Sequence, residues 1–347
     1  MTSQQPTTCP NCGKTASKHC GRCFGGCNRD GTIYPSTYYC GETCQREHAP
    51  QHRSFCKAAA DRRQLIRAGD LVQAHFYAYR RAVFDVTIKT ARQGSHGKLH
   101  VYEAPSVAPD TLIPFPDHHF LTENDKKSML VWCSCDDGPR QIRSLIRQSF
   151  NGLHDKAEDV VLKPRPDIRR IVYHHGNGEL DIFARTDFHT IHRVEIAGVQ
   201  YAFDLSSAQY GHHQTVTPWT EYAAKIVSSV TMHAPYGGIV DQFVAETERD
   251  MQLALHGIGL KAATMHKGPL LLTQKVYAEK VDELVASWLE DRPAPLTDLL
   301  AFGEARFGRM IEAPAKKVAK ALQTFGEEIE SSGKILAYVS KRSGGLL

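Results

Sequence analysis

Residues 9–56 read CPNCGKTASKHCGRCFGGCNRDGTIYPSTYYCGETCQREHAPQHRSFC, and they hold eight of the ten cysteines in this 347-residue chain. Seven of these cysteines and one histidine follow the spacing C-x2-C-x7-C-x2-C-x16-C-x3-C-x7-H-x3-C. Clustered CxxC pairs of this kind are typical of metal ligands, whereas the cysteines of a disulfide framework are usually spread along the chain. The candidate ligands are Cys9, Cys12, Cys20, Cys23, Cys40, Cys44, His52 and Cys56.

Eight sulfur and imidazole donors suffice for two tetrahedral sites, the geometry and ligand type that Zn²⁺ prefers. A CxxC turn directs two sulfurs at one metal, and an x3 spacing on a helix places two ligands on one face. About fifty residues cannot build a sufficient core, so the metals are expected to supply the folding energy. Two alternatives remain open: Cys27 could replace Cys23, and His48 could compete as a ligand.

This arrangement resembles the MYND-type zinc finger at all eight ligand positions and at Tyr39 and Gln45, which flank Cys40 and Cys44. The resemblance implies two interleaved zinc ions, one on Cys9, Cys12, Cys40 and Cys44 and the other on Cys20, Cys23, His52 and Cys56. It also implies a protein or proline-rich peptide partner, held by residues around Gln45 and Tyr39. This chain has Ala49 where the family usually has tryptophan.

The composition is that of a globular protein, with 41% hydrophobic and 23% charged residues. No run of about eighteen apolar residues predicts a membrane span, and the polar N-terminus predicts no secretory signal. We therefore expect an intracellular protein of the nucleus or cytoplasm, with no membrane partner. The formal charge is +4, but seven thiolates and two Zn²⁺ contribute −3 together, leaving about +1, so a nucleic-acid partner is not expected.

The pattern beyond residue 56 predicts an α+β fold in three parts. Residues 57–95 read as a helical connector of one or two helices, which Gly69-Asp70 could interrupt. Residues 96–235 read as an α+β domain with a strand near 98–102, a helix over 139–150 and a β-hairpin over 190–204. Residues 236–347 read as a helical C-terminal region.

The predicted hairpin brings two polar residues together. With a tight turn at Ala197-Gly198, Val194 and Tyr201 share the apolar face, and Ile191 lies opposite Asp204. His189 is then the diagonal neighbour of Asp204 and within contact of it.

A histidine at a strand start, followed by an aspartate at the end of the next strand, resembles the C-terminal half of papain-like and transglutaminase-like folds. In those folds a cysteine at a helix N-terminus precedes the histidine, and the helix dipole and imidazolium lower the thiol pKa. The resemblance implies Cys135 as nucleophile, His189 as base and Asp204 as orienting group, with Cys133 the other candidate thiol. The alternative is a core hairpin in which His189 and Asp204 form an ordinary hydrogen bond.

The leading functional hypothesis is a zinc-binding adaptor that recruits a protein through its finger. The competing hypothesis is a thiol hydrolase or acyl-transfer enzyme, active or degenerate. A SET-type methyltransferase, often joined to MYND fingers, is not supported because the chain lacks an NHxCxPN-like segment. Residues 204–222 resemble fungal proteins that carry an N-terminal MYND finger.

Overall fold

A computed structural model of the chain describes residues 7–104, 113–154, 156–168, 170–176, 180–181, 188–239, 241–242, 245–246, 249, 268–291, 296–301 and 303–332. The cysteine-rich module begins with two short antiparallel pairs: β1 (Thr7–Thr8) with β2 (Thr15–Ala16), and β3 (Lys18–His19) with β4 (Tyr38–Tyr39). These pairs place the CxxC turns next to the start of the first helix.

Helix α1 (Glu42–Ala82) is shared by the module and the rest of the molecule. It starts after Gly41, carries the last ligands of the zinc motif, and continues into the main core with Leu65, Val72 and Phe76 wholly buried. The helix passes through Gly69-Asp70 without a break, and it runs across the predicted boundary at residue 56.

Gly69 has a packing role inside α1. A Cβ at this position would lie 2.6 Å from Val216 Cγ2, in the strand β12 (Val216–Pro218). The glycine therefore lets β12 approach the helix closely, which explains why it is tolerated there despite its low helix propensity.

The predicted hairpin forms the centre of a five-stranded antiparallel sheet. The strand order is β12, β11 (Val199–Phe203), β10 (His189–Ile196), β7 (Lys156–Pro164) and β13 (Val227–Pro235). Val194 pairs with Tyr201 across a turn at Ala197-Gly198, so the predicted hairpin and its register are confirmed.

A second sheet has the order β5 (Ile88–Gln93), β6 (Leu99–Glu103), β8 (Ile171–His174) and β9 (Leu180–Asp181). Its β6 confirms the strand predicted near 98–102. The connector prediction was partly wrong, because α1 ends at Ala82 and Ile88–Gln93 form a strand. In a run this short, lysine and arginine on the outer face between apolar residues fit both the helical and the strand period, so the pattern alone does not separate a helix from a strand.

Helices pack around the sheets: α2 (Glu123–Leu130), α3 (Asp137–Gln141), α4 (Arg143–Phe150), α5 (Trp219–Ile226), α6 (Gly268–Glu290), α7 (Leu296–Leu300) and α8 (Glu304–Ser332). The helix predicted over 139–150 is divided at Ile142, whose backbone is not helical. The α+β fold class is confirmed. The domain boundaries stay a prediction, and the chain's last residues, 333–347, lie outside the described residues.

Among the described helices, none is both long enough and apolar enough to cross a membrane.

The Gly69 contact leads to a stability prediction. Gly69→Ala should lower the free energy of unfolding by about 1–3 kcal/mol, because the methyl group overpacks against Val216. Gly308→Ala in α8 is the matched control: nothing lies within 4 Å of its added Cβ, so it should stabilise by up to about 1 kcal/mol. Urea unfolding followed by circular dichroism measures both. Recovery of stability in Gly69→Ala/Val216→Ala would identify the contact as the cause, and a stabilised Gly69→Ala would contradict it.

Candidate zinc centres and a buried cysteine–histidine–aspartate cluster

The first candidate metal centre is formed by Cys9, Cys12, Cys40 and Cys44. The turn after Cys9 closes with a hydrogen bond from the Gly13 N–H to the Cys9 carbonyl, 2.8 Å long. Cys40 follows β4, and Cys44 lies in the first turn of α1. Cys40 Sγ is 3.5 Å from both Cys12 Sγ and Cys44 Sγ.

The second candidate centre is formed by Cys20, Cys23, His52 and Cys56, all of them buried. Cys20 Sγ lies 3.7 Å from Cys56 Sγ, and Cys23 Sγ lies 3.5 Å from His52 Nε2. His52 and Cys56 are one helical turn apart on α1, so the helix presents them on one face.

Both centres have the dimensions of a tetrahedral zinc site. Zinc–sulfur bonds of about 2.3 Å place the sulfurs of a tetrahedron about 3.8 Å apart, and each set has its ligand atoms within 4.8 Å of one another. Burial and the neighbouring His48 lower the pKa of His52, which favours the neutral imidazole that binds a metal. The two clusters therefore fit two zinc ions.

Residues 9–56 match the MYND finger family. This segment is a MYND finger. The predicted resemblance is confirmed, and MYND fingers mediate protein interactions. The chain has no match among curated proteins or among solved structures.

Four other residues of the MYND finger were singled out in the sequence. His48 stacks on His52 and its Nδ1 lies 3.0 Å from the Tyr39 hydroxyl, so it supports the second centre from outside the ligand set. Cys27 is also outside both sets. Tyr39 is wholly buried, whereas Gln45 is exposed.

Beyond the MYND finger, the structure brings His189 and Asp204 together. His189 Nε2 lies 2.8 Å from Asp204 Oδ2, and both side chains are wholly buried. The same carboxylate accepts the Tyr222 hydroxyl at 2.7 Å and, at its other oxygen, the Ser206 N–H at 2.9 Å. Asp204 thus has donors on both oxygens, which is the condition for keeping a buried carboxylate ionised.

The predicted thiol Cys135 lies close enough to the His189 ring to interact with it. His189 Nδ1 is buried without a well-aligned hydrogen-bond partner among the residues that the structure describes. The half-buried Cys135 precedes α3 by two residues.

The electrostatics of the cluster favour a charged pair. Burial alone lowers the pKa of His189, but the charge of Asp204, their hydrogen bond and the Cys135 thiol raise it to about 10. Burial raises the pKa of Asp204, yet the His189 charge and hydrogen bond, with Tyr222 and Ser206, hold it below its usual range.

The other candidate thiol, Cys133, has a different environment. Its backbone has a positive φ of 55°, and its N–H donates to Gln209 Oε1 at 3.3 Å. Gln209, Ser206 and Tyr222 were not predicted as neighbours of the cluster, although all three lie within twenty residues after Asp204.

A second buried pair was not predicted from the sequence. His192, in strand β10, has Nδ1 at 2.8 Å from Asp159 Oδ1. Asp159 also accepts the N–H groups of Gly237 and Ile239, so it fixes β7 and β10 to the chain after β13. Its partners are distant in sequence, and no local pattern could indicate them.

The ligand sets lead to a prediction on metal content. Cys44→Ser and His52→Ala should each reduce bound zinc from two ions to one per chain, because each removes one ligand of a different four-ligand set. Cys27→Ser and His48→Ala, matched substitutions outside the sets, should keep two. Metal analysis by mass spectrometry after dialysis gives the stoichiometry. Two zinc ions in Cys44→Ser, or one in Cys27→Ser, would contradict the ligand sets.

Proposed function

We propose that the α+β part of this chain is a cysteine-dependent enzyme that hydrolyses or transfers an acyl group. The observation that carries the proposal is the buried His189, whose Nε2 is paired with Asp204 and whose ring interacts with the Cys135 thiol. In this proposal Cys135 is the nucleophile, His189 the base and Asp204 the orienting group that thiol catalysis requires.

Each residue has a defined role in this proposal. The Cys135 thiolate attacks the carbonyl carbon of an ester, thioester or amide, and the protonated His189 then gives its proton to the leaving group. A thioester on Cys135 results, and water or an amine attacks it while His189 accepts the proton. Asp204 orients the ring and balances its charge, and Tyr222 and Ser206 hold Asp204 in place.

The reactivity of Cys135 tests this proposal. In the zinc-loaded protein at pH 6, iodoacetamide should alkylate Cys135 at least ten times faster than Cys133, because the His189 charge stabilises a thiolate. Peptide mass spectrometry of a time course gives both rates in one sample. Asp204→Asn should reduce the Cys135 rate about tenfold or more, while the Cys133 rate stays unchanged.

Cys133 is the internal control for access and folding. A His189–Asp204 pair that serves packing alone predicts equal, slow labelling of Cys135 and Cys133. That outcome would remove the support for an enzyme.

We also propose that the MYND finger recruits a protein with a proline-rich segment. A specific surface supports it: Phe55 is 65% exposed and Ile33 is 78% exposed, and Phe55 lines a groove of about 510 Å³ with Tyr34, Ala58 and Arg62. Large apolar side chains that remain exposed beside a groove are typical of interaction sites. Gln45 on α1 is the other exposed candidate.

Fluorescence anisotropy with labelled proline-rich peptides tests recruitment by the zinc-loaded chain. Phe55→Ser or Gln45→Ala should weaken binding about tenfold or more and leave two zinc ions bound, since an apolar or amide contact is lost at the surface. Leu121→Ser is the matched control, because Leu121 is 82% exposed and lies outside the MYND finger. Unchanged affinity in both finger variants would contradict the proposed surface.

A further inference from the structure

The side chain of Gln209 contains a buried donor for which the described residues offer no acceptor. Gln209 lies in the 3-10 helix Ser207–Tyr210 and is 3% exposed. Its Oε1 accepts the Cys133 N–H, but its Nε2 has no hydrogen-bond partner among the described residues. A buried donor left unpaired costs about 1–3 kcal/mol, and such groups in native structures require an explanation.

This donor belongs to a side chain that is bonded to the loop of the proposed nucleophile. The Gln209 amide oxygen accepts the N–H of Cys133, which precedes Cys135 by two residues in the same loop. The Cα atoms of Cys133 and Cys135 are therefore at most about 7 Å apart. The next residue, Tyr210, packs its ring edge-on against His189 with 5.1 Å between the ring centroids. The 3-10 helix therefore contacts both the thiol loop and the base.

The orientation of the Gln209 amide is fixed before any substrate binds. The Cys133 N–H holds Oε1, and the Gln209 N–H donates to the Ser206 carbonyl at 3.1 Å. A rotation of the amide to satisfy Nε2 elsewhere would break the bond to Cys133. A fixed donor without an acceptor in the resting protein is the arrangement that stabilises charge developing in a transition state.

We propose that Gln209 Nε2 donates a hydrogen bond to the oxyanion that forms when Cys135 attacks an acyl carbonyl. This inference rests on the proposed enzymatic function. In the step, the sulfur–carbon bond forms, the carbonyl π electrons move to oxygen, and Gln209 binds that oxygen. When the C=O bond re-forms, the bond to the leaving group breaks and the leaving group takes the proton of His189.

Two reagents separate this role from the reactivity of the thiol itself. p-Nitrophenyl acetate acylates a thiolate through an oxyanion, whereas iodoacetamide alkylates it by displacing iodide, with no oxyanion. Gln209→Met, neutral and close in volume, should lower the Cys135 acylation rate about 10²–10³-fold while the alkylation rate stays within about threefold. p-Nitrophenolate release, in a background where Cys133 is serine, and mass spectrometry give the two rates.

Gln209→Glu is the second variant, since its carboxylate still accepts the Cys133 N–H but lacks the Nε2 donor. It should show the same fall in the acylation-to-alkylation ratio, and a matched unfolding temperature confirms that each variant is folded. An unchanged ratio in both variants would overturn the role of Gln209 and leave the enzyme proposal standing. A wild-type Cys135 that reacts with neither reagent faster than Cys133 would overturn both.

Discussion

Helix α1 carries zinc ligands at one end and the main core along the rest of its length. Cys44, His52 and Cys56 lie in its first part, and Arg67 and Tyr79 bond the carbonyls of Leu300 and Gln274 further along. The finger also contacts the large sheet directly, where the Tyr201 hydroxyl donates to the Arg29 carbonyl at 3.1 Å. The metal centres and the apolar core therefore constrain the same helix from its two ends.

Helix α1 also contacts the residues around the buried cluster of His189, Asp204 and Cys135. Its Phe76 lies against Gly138, just after Cys135, and its Gln73 accepts the Thr215 hydroxyl. The Thr215 carbonyl in turn accepts the Asp204 N–H at 2.8 Å. Since Asp204 is wholly buried, its charge is tolerable only while all its donors stay aligned, and α1 is the element that keeps the strand end in position.

The sequence predicted features that depend on residues close along the chain. The zinc centres were predictable because their ligands follow a local spacing, and the His189–Asp204 contact because a tight turn sets the register. The continuity of α1 was not predictable, because a glycine inside a helical pattern indicates a possible break. Only the tertiary structure shows that Gly69 allows Val216 to pack closely against the helix. Two other contacts, Asp159 with His192 and Gln209 with Cys133, form only in the tertiary structure. Neither contact is indicated by the local periodicity of the sequence.

The long contacts of α1 have a consequence during synthesis. The ribosome completes α1 some two hundred residues before Leu300 and Gln274, the partners of its far end. Nascent chains fold from the N-terminus, and contacts of high sequence separation form late. The part of α1 that these late residues cover thus stays exposed through most of translation, while zinc can already hold its first turns. Metal supply at the ribosome would then decide whether the first turns of α1 are already helical while its far end is still exposed to chaperones.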